Sequence, residues 1–326
     1  MQPFRFAANP CFSGRIGQSS LFVFAVLLFN FVSVRVTGQE PGATAPPVFK
    51  ARSDLVVLHA NVFDGKSDAV PALPQSAFTV IEEGRPQTIT FFNDADVPVA
   101  AGLVIDNSSS MITRRQMVIA GTNAFADSSH PEDELFTVVF NEHIRLGLQP
   151  GVAFTKSPAQ IQASLLRYPA TGQTALYDAV IEALDYVRQA THQKRVLIVL
   201  SDGDDNASRH SEADMLHRAS RSDALVYTIS TVDYGHQSGN AGVLKRLAER
   251  TGGAAYFPKS QAEIIRAFTE VATNIRRGYS IGYVPETPRE PGEYRRVQVR
   301  VRVPGRNLAV KVRDGYTAGG DDADAR

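Results

Sequence analysis

The sequence has a single cysteine, Cys11, and no tryptophan. One thiol excludes an internal disulfide framework and a thiolate metal site. Charge of one sign is missing too. Lys and Arg number 34 against 34 Asp and Glu, with no basic stripe of the kind that binds nucleic acid. Signatures of catalysis are absent. The seven histidines form no His-Glu-x-x-His pair, and there is no Gly-x-Ser-x-Gly, P-loop or dinucleotide fingerprint. The chain therefore reads as something other than an enzyme. With 43% hydrophobic residues it has ordinary globular composition and enough length for an ample core.

The first 38 residues differ from the rest. They hold Arg5, Arg15 and Arg35, no acidic residue, and an apolar run over residues 21–34 interrupted by Asn30 and Ser33. That run suits the apolar region of a secretory signal and is short for a membrane span. Val36-Thr37-Gly38 supplies small residues for cleavage, which places the mature start at Gln39. Export to the periplasm, cell surface or exterior is the expectation, with a retained anchor as the alternative. Cleavage would remove Cys11 and three arginines, leaving a thiol-free chain with a net charge of about −3. Cys11 precedes the apolar run, the wrong side for a lipoprotein anchor, and no other stretch is long enough to span a bilayer.

A Pro/Gly/Ala-rich linker, 39–47, leads into a β segment over 48–96. Val56, Leu58, Ala60 and Val62 alternate as one strand face. A strand over 78–82, a turn at Glu83-Gly84-Arg85 and a strand over 87–92 read as a hairpin. From 97 to 276 strands and helices alternate, which predicts a doubly wound, mostly parallel α/β sheet with helices on both faces. Strands are expected over 100–105, 135–140, 144–148, 195–200, 224–230 and 254–257. Helices are expected over 112–126, 158–166, 175–189, 212–220, 242–250 and 261–276. Over 277–317 the period returns to two, with Val297, Val299, Val301 and Val303 on one face, and 318–326 reads as a frayed tail. Neither β flank can bury a core alone, so the two are expected to pair as one small β-sandwich.

The chemistry concentrates at Leu-Val-Ile-Asp106-Asn-Ser108-Ser-Ser110-Met. A continuous apolar strand ends there in a carboxylate followed by two hydroxyls. Ligands of open α/β sheets bind outside the carboxyl ends of strands, and these are hard oxygen donors suited to Mg²⁺ or Ca²⁺. Two downstream pieces complement them. Thr174 lies in Gly172-Gln-Thr-Ala-Leu-Tyr-Asp-Ala, and Asp202 in Leu200-Ser-Asp-Gly-Asp. Each residue also has a plainer reading. Ser108, Ser110 and Thr174 are natural helix caps, and Asp202 is a natural turn residue.

In this order and at these separations, the three pieces resemble the von Willebrand factor type A (VWA) domain over roughly residues 96–276. The resemblance implies a Rossmann-like fold. It also implies a metal-ion-dependent adhesion site formed by Asp106, Ser108, Ser110, Thr174 and Asp202. Gln173, where many members have a second glycine, is the one small departure. The resemblance further implies one divalent cation, Mg²⁺ ahead of Ca²⁺ or Mn²⁺, and a protein partner that offers an acidic residue to it. The alternative is a structural or accessory subunit in which metal only stabilises the fold. Phe78-Thr-Val-Ile-Glu-Glu-Gly-Arg-Pro-Gln, Tyr279-Ser-Ile-Gly-Tyr-Val-Pro and Arg313-Asp-Gly-Tyr316 also resemble a family of exported bacterial VWFA-related proteins, best represented in acidobacteria.

Overall fold

Alternate burial of Val56, Leu58, Ala60 and Val62 builds β1 (Val56–Phe63), as the apolar spacing requires. The computed structural model describes residues 55–64, 69–231, 240–287 and 290–318. Every described residue lies in one compact unit, Arg52–Arg326. The expected signal, the linker and residues 319–326 of the expected tail lie outside the described residues. Among the described residues no helix is long and apolar enough to cross a membrane.

After β1 come β2 (Phe78–Glu82), β3 (Arg85–Gln87) and β4 (Ile89–Asn93). The expected strand over 87–92 is therefore corrected: the chain breaks at Thr88 and its two halves join different sheets. Only β3 forms the hairpin with β2, about Glu83 and Gly84, both at positive φ. Two left-handed residues give the tight turn whose twist matches the strands, and glycine takes one at no steric cost. Pro86 has no N–H to donate, which confines β3 to a sheet edge.

The α/β part follows as β5 (Ala100–Asp106), α1 (Arg115–Asp127), β6 (Glu134–Phe140), β7 (Ile144–Leu146), α2 (Pro158–Leu166), α3 (Leu176–Tyr186), β8 (Arg195–Ser201), α4 (Glu212–Arg221), β9 (Leu225–Ser230), α5 (Ala241–Thr251), β10 (Ala255–Tyr256) and α6 (Gln261–Arg276). Its sheet has the order β10-β9-β8-β5-β6-β7, parallel except for the β7 edge. All of β5 is buried, which is why its sequence is a continuous apolar run rather than an alternation. From β5 the chain moves outward to β6 and later returns to the other side at β8. Right-handed crossovers then place α1, α2 and α6 on one face and α3, α4 and α5 on the other.

The C-terminal flank adds β11 (Tyr279–Tyr283), β12 (Tyr294–Val301), β13 (Ala309–Lys311) and β14 (Gly315–Thr317). Both flanks combine into two four-stranded sheets, β13-β1-β11-β4 and β14-β12-β2-β3. Leu58, Val62, Val80, Ile281, Val297 and Val299 from both sheets share one apolar core, so the flanks form a β-sandwich as expected. The short β14 was not anticipated, because its three residues carry no alternation.

Between the sheets Glu82 is buried and accepts hydrogen bonds from Tyr283 Oη (2.6 Å), Tyr316 Oη (2.9 Å) and Arg295 Nη1 (3.3 Å). Burial, with the Glu82 carboxylate beside it, holds the Tyr283 phenol far above its ordinary pKa. Glu82, Tyr283 and Tyr316 come from three sequence motifs distant along the chain. The three motifs thus converge on one buried carboxylate.

At the base of the α/β part, Lys194 is buried and donates to the Ile275 carbonyl at 2.5 Å, capping the C-terminus of α6. Burial pushes its ammonium down to about 8. Arg276 donates to Asp96 Oδ1 (3.0 Å) and the Val97 carbonyl (3.2 Å) and pairs with buried Asp133. The two points where the chain enters and leaves the α/β part are thereby held together.

Candidate metal centre

Asp106 is the last residue of β5, and Asp202 directly follows β8. These strands are neighbours, with Ile105 opposite Leu200, so both carboxylates leave the sheet side by side. The strand order reverses here, at the place where open α/β sheets form their binding crevice.

Asp106 is only 2% exposed. Its Oδ1 accepts the Ser108 N–H (2.9 Å), and its Oδ2 accepts the Ser201 hydroxyl (2.7 Å). Ser108 Oγ lies 3.1 Å from Ser110 Oγ, and Ser110 Oγ donates to Asp202 Oδ2 at 2.9 Å. Four of the five residues singled out in the sequence thus stand in one hydrogen-bonded path. Thr174 is joined to it through its loop. Ser109 N–H donates to the Gly172 carbonyl (3.1 Å), and the N–H groups of Asn206 and Ala207 donate to the Thr174 carbonyl (2.9 and 3.0 Å). The loops after β5 and β8 therefore hold the Thr174 loop from both sides.

The plainer readings fare differently. Ser108 precedes a 3₁₀ turn, Ser109–Arg114, and its side chain makes no capping bond; the α-helix starts only at Arg115, not at 112. The capping position of α3 is Ala175, again with no side-chain cap, so Thr174 is not its cap. Asp202 does act as a turn residue, since its Oδ1 accepts the Asp204 N–H at 3.2 Å.

Four residues escaped the sequence reading. Ser201 supports Asp106, and its signal was the β5–β8 register. Asn206 Oδ1 accepts the Thr174 N–H at 2.8 Å. Glu142 Oε2 accepts the Gln173 N–H at 2.8 Å, seated where any Cβ on Gly172 would lie 1.8 Å from it. Gln173 thus contributes its backbone, and the missing second glycine leaves the loop intact. Arg114, also buried, places Nη1 3.7 Å from Asp202 Oδ2.

Burial pushes the Asp106 carboxyl up to about 6, against the hydrogen bonds from Ser108 and Ser201; the nearby Asp202 charge adds to the rise. A cation at this point would relieve both causes. Among the described residues no group of three or more His, Cys, Asp or Glu is arranged to hold a metal ion. The candidate donors are two carboxylates and three hydroxyls, all hard oxygens, which fits a divalent cation.

The raised pKa has a measurable consequence without metal. Protonation favours the folded state, so the contribution from Asp106 is fully present below about pH 4 and is lost as the pH rises through about 6. Its size is on the order of 3 kcal/mol. In chelator, wild type should lose stability relative to Asp106→Asn between pH 4 and 7; a flat difference would exclude the effect.

A doubly wound α/β domain with an oxygen-donor centre at its switch point defines the class. The sequence model of the von Willebrand factor type A domain matches residues 102–204. No curated protein matches the sequence. Among solved structures, a von Willebrand factor type A protein from Catenulispora acidiphila is similar at 16% identity, covering 84% of this chain and 76% of that one, with a TM-score of 0.47. An aerotolerance-related membrane protein from Bacteroides fragilis NCTC 9343 shares 14% identity over 54% of this chain and 98% of its own, with a TM-score of 0.44. Proximal thread matrix protein 1 from the mussel byssus, with a zinc-occupied MIDAS motif, shares 16% identity over 55% of this chain and 48% of its own, with a TM-score of 0.45.

Proposed function

We propose that this protein is an exported, divalent-cation-dependent protein-binding module and not an enzyme. Asp106, Ser108, Ser110, Thr174 and Asp202 would hold the cation, Mg²⁺ ahead of Mn²⁺ or Ca²⁺, and a partner's acidic side chain would complete the site. The observation that carries this reading is the hydrogen-bonded path Asp106–Ser108–Ser110–Asp202 at the switch point of the sheet.

The bound ion supplies an electrophilic position for a carboxylate oxygen. The chain's own contribution is to orient the donors. Ser201 and the Ser108 N–H fix Asp106, Asp204 fixes Asp202, and Asn206 and Glu142 fix the Thr174 loop. The three hydroxyls would add donors without adding charge, so Asp106 and Asp202 would be the only charged ligands from the chain. The apolar run over 21–34 supports export.

Calorimetric titration of Mg²⁺, Mn²⁺ and Ca²⁺ into the purified protein, with and without acetate, tests the reading. One saturable site that tightens with acetate is expected. Metal that raises the melting temperature with no response to acetate would instead favour the structural role, and no binding in either condition would overturn both.

A further inference from the structure

Where the α/β part meets the sandwich, a cleft of about 400 Å³ opens between α6, β10 and the outer face of β1 and β13. Clefts of this size at the junction of two substructures are a usual setting for small-molecule sites. Val62 and Val310 turn into the sandwich core, so their neighbours Phe63, Ala309 and Lys311 face the cleft. The cleft lies at the base of the α/β sheet, where Lys194 precedes β8 and caps α6, whereas Asp202 follows β8 at the other end. It is therefore separate from the candidate metal centre.

Two cations meet at one end of this cleft. Arg277 directly follows α6, and Lys311 is paired with Asn61 in the β1–β13 ladder. Gly278, next to Arg277, packs on the same Asn61, since a Cβ there would lie 2.9 Å from Asn61 Oδ1. Among the described residues neither cation forms an ion pair, and neither side chain makes a hydrogen bond. Lys311 Nζ lies 5.0 Å from the centre of the Phe63 ring, and burial pushes its ammonium below the ordinary lysine pKa, against the Glu249 charge. Arg277 is not needed as a helix cap, because Lys194 takes that part. Tyr256 stands beside Asn274, one turn before Arg277, and its oxygen accepts from Asn274 Nδ2 at 2.8 Å. Burial, with the Glu270 charge, holds the proton on this phenol, where it serves as a donor. The remaining charges of the lining are Asp64, Arg266 and Glu270. Asp64 has a partner other than the three cations. Arg266 and Glu270 are four residues apart on α6, a spacing at which opposite charges offset each other. Glu270 is seven residues before Arg277, about 10 Å along the helix.

We infer that the cleft binds a small organic anion, its carboxylate or phosphate group between Arg277 and Lys311 and its apolar body along Phe63, Ala254 and Ala255. Charge-assisted hydrogen bonds from two cations that have no carboxylate in contact break no existing ion pair. The small alanine side chains leave the space, and the Tyr256 hydroxyl offers a neutral donor at the side of the bound group.

Calorimetric titration of phenyl phosphate, benzoate and neutral benzyl alcohol into the purified protein tests this, with chelator present so that no metal-bound anion contributes. One saturable site for at least one of the two anions is expected, and none for benzyl alcohol; the two anions separate a phosphate from a carboxylate head group. Arg277→Met and Lys311→Met should each weaken that binding about tenfold, the scale of one charge-assisted hydrogen bond. Both side chains are exposed, so melting temperatures in the absence of ligand should stay as in wild type. Glu270→Gln should bind the anion at least as tightly as wild type. Asp106→Ala should keep the anion site, and Arg277→Met should keep the Mg²⁺ response of wild type, so either site can fail without the other. Absence of saturable binding by both anions, equal binding of benzyl alcohol, or anion affinity unchanged in both methionine variants would overturn the inference.

Discussion

Asp106→Ala should abolish saturable Mg²⁺ and Mn²⁺ binding, lowering affinity at least about a hundredfold, beyond what loss of an outer-shell partner costs a metal site. Both oxygens of Asp106 are held by donors, one from the neighbouring strand and one from its own loop. Its removal takes away a carboxylate and leaves the buried Ser201 hydroxyl without that acceptor. Some destabilisation is therefore expected, and Ser110→Ala provides the control. Ser110 is exposed, so its loss should leave melting in chelator unchanged while still weakening metal. Calorimetry and thermal melts on both variants check this. Unchanged metal affinity in both would show that the donor path is a hydrogen-bond network and not a metal centre.

Glu82→Ala should destabilise the protein by about 3–5 kcal/mol, the usual cost of removing one partner from a buried ion pair. Arg295, 6% exposed, would lose a buried carboxylate, and two tyrosine hydroxyls would lose their acceptor. For a protein of this size that corresponds to a fall of roughly 6–20 °C in melting temperature. Glu82→Gln keeps the volume and one acceptor oxygen and should cost less. Metal affinity should stay as in wild type, since Glu82 lies in the sandwich core and not in the α/β sheet. A melting temperature within a degree or two of wild type for Glu82→Ala would remove the network from the forces holding the two sheets together.

The α/β architecture was legible because its signals are local. β5 and β8 are unbroken apolar runs, and α3 buries Leu176, Ala179, Val180, Ala183 and Leu184 at helical spacing within eleven residues. The candidate centre was legible for the same reason, since each donor follows a strand or opens a helix. What escaped depends on register or on distant partners. Ser201 matters only because β5 and β8 align, and Glu82 looks like one more turn carboxylate until Tyr283 and Tyr316 arrive from some 200 residues away. The split at Thr88 escaped because a strand that changes sheets keeps its β-forming residues. Only tertiary pairing separates the halves.

The sandwich is closed by strands from opposite ends of the described chain. His59 meets Ser280 across 221 positions, and that pairing cannot form until the last strands have been synthesised. Closing so long a loop from a disordered chain is entropically expensive and slow. The Arg276–Asp96 contact changes the problem, because once the α/β part is folded its two exits already lie side by side, although 180 positions separate them. The intervening domain then acts as a rigid clasp, and β1 and β11 have only a short distance left to search. This geometry predicts that the α/β part folds first and the sandwich last, so a chain interrupted before β11 would present β1 and β2 as unpaired strand edges, the kind of surface that draws aggregation.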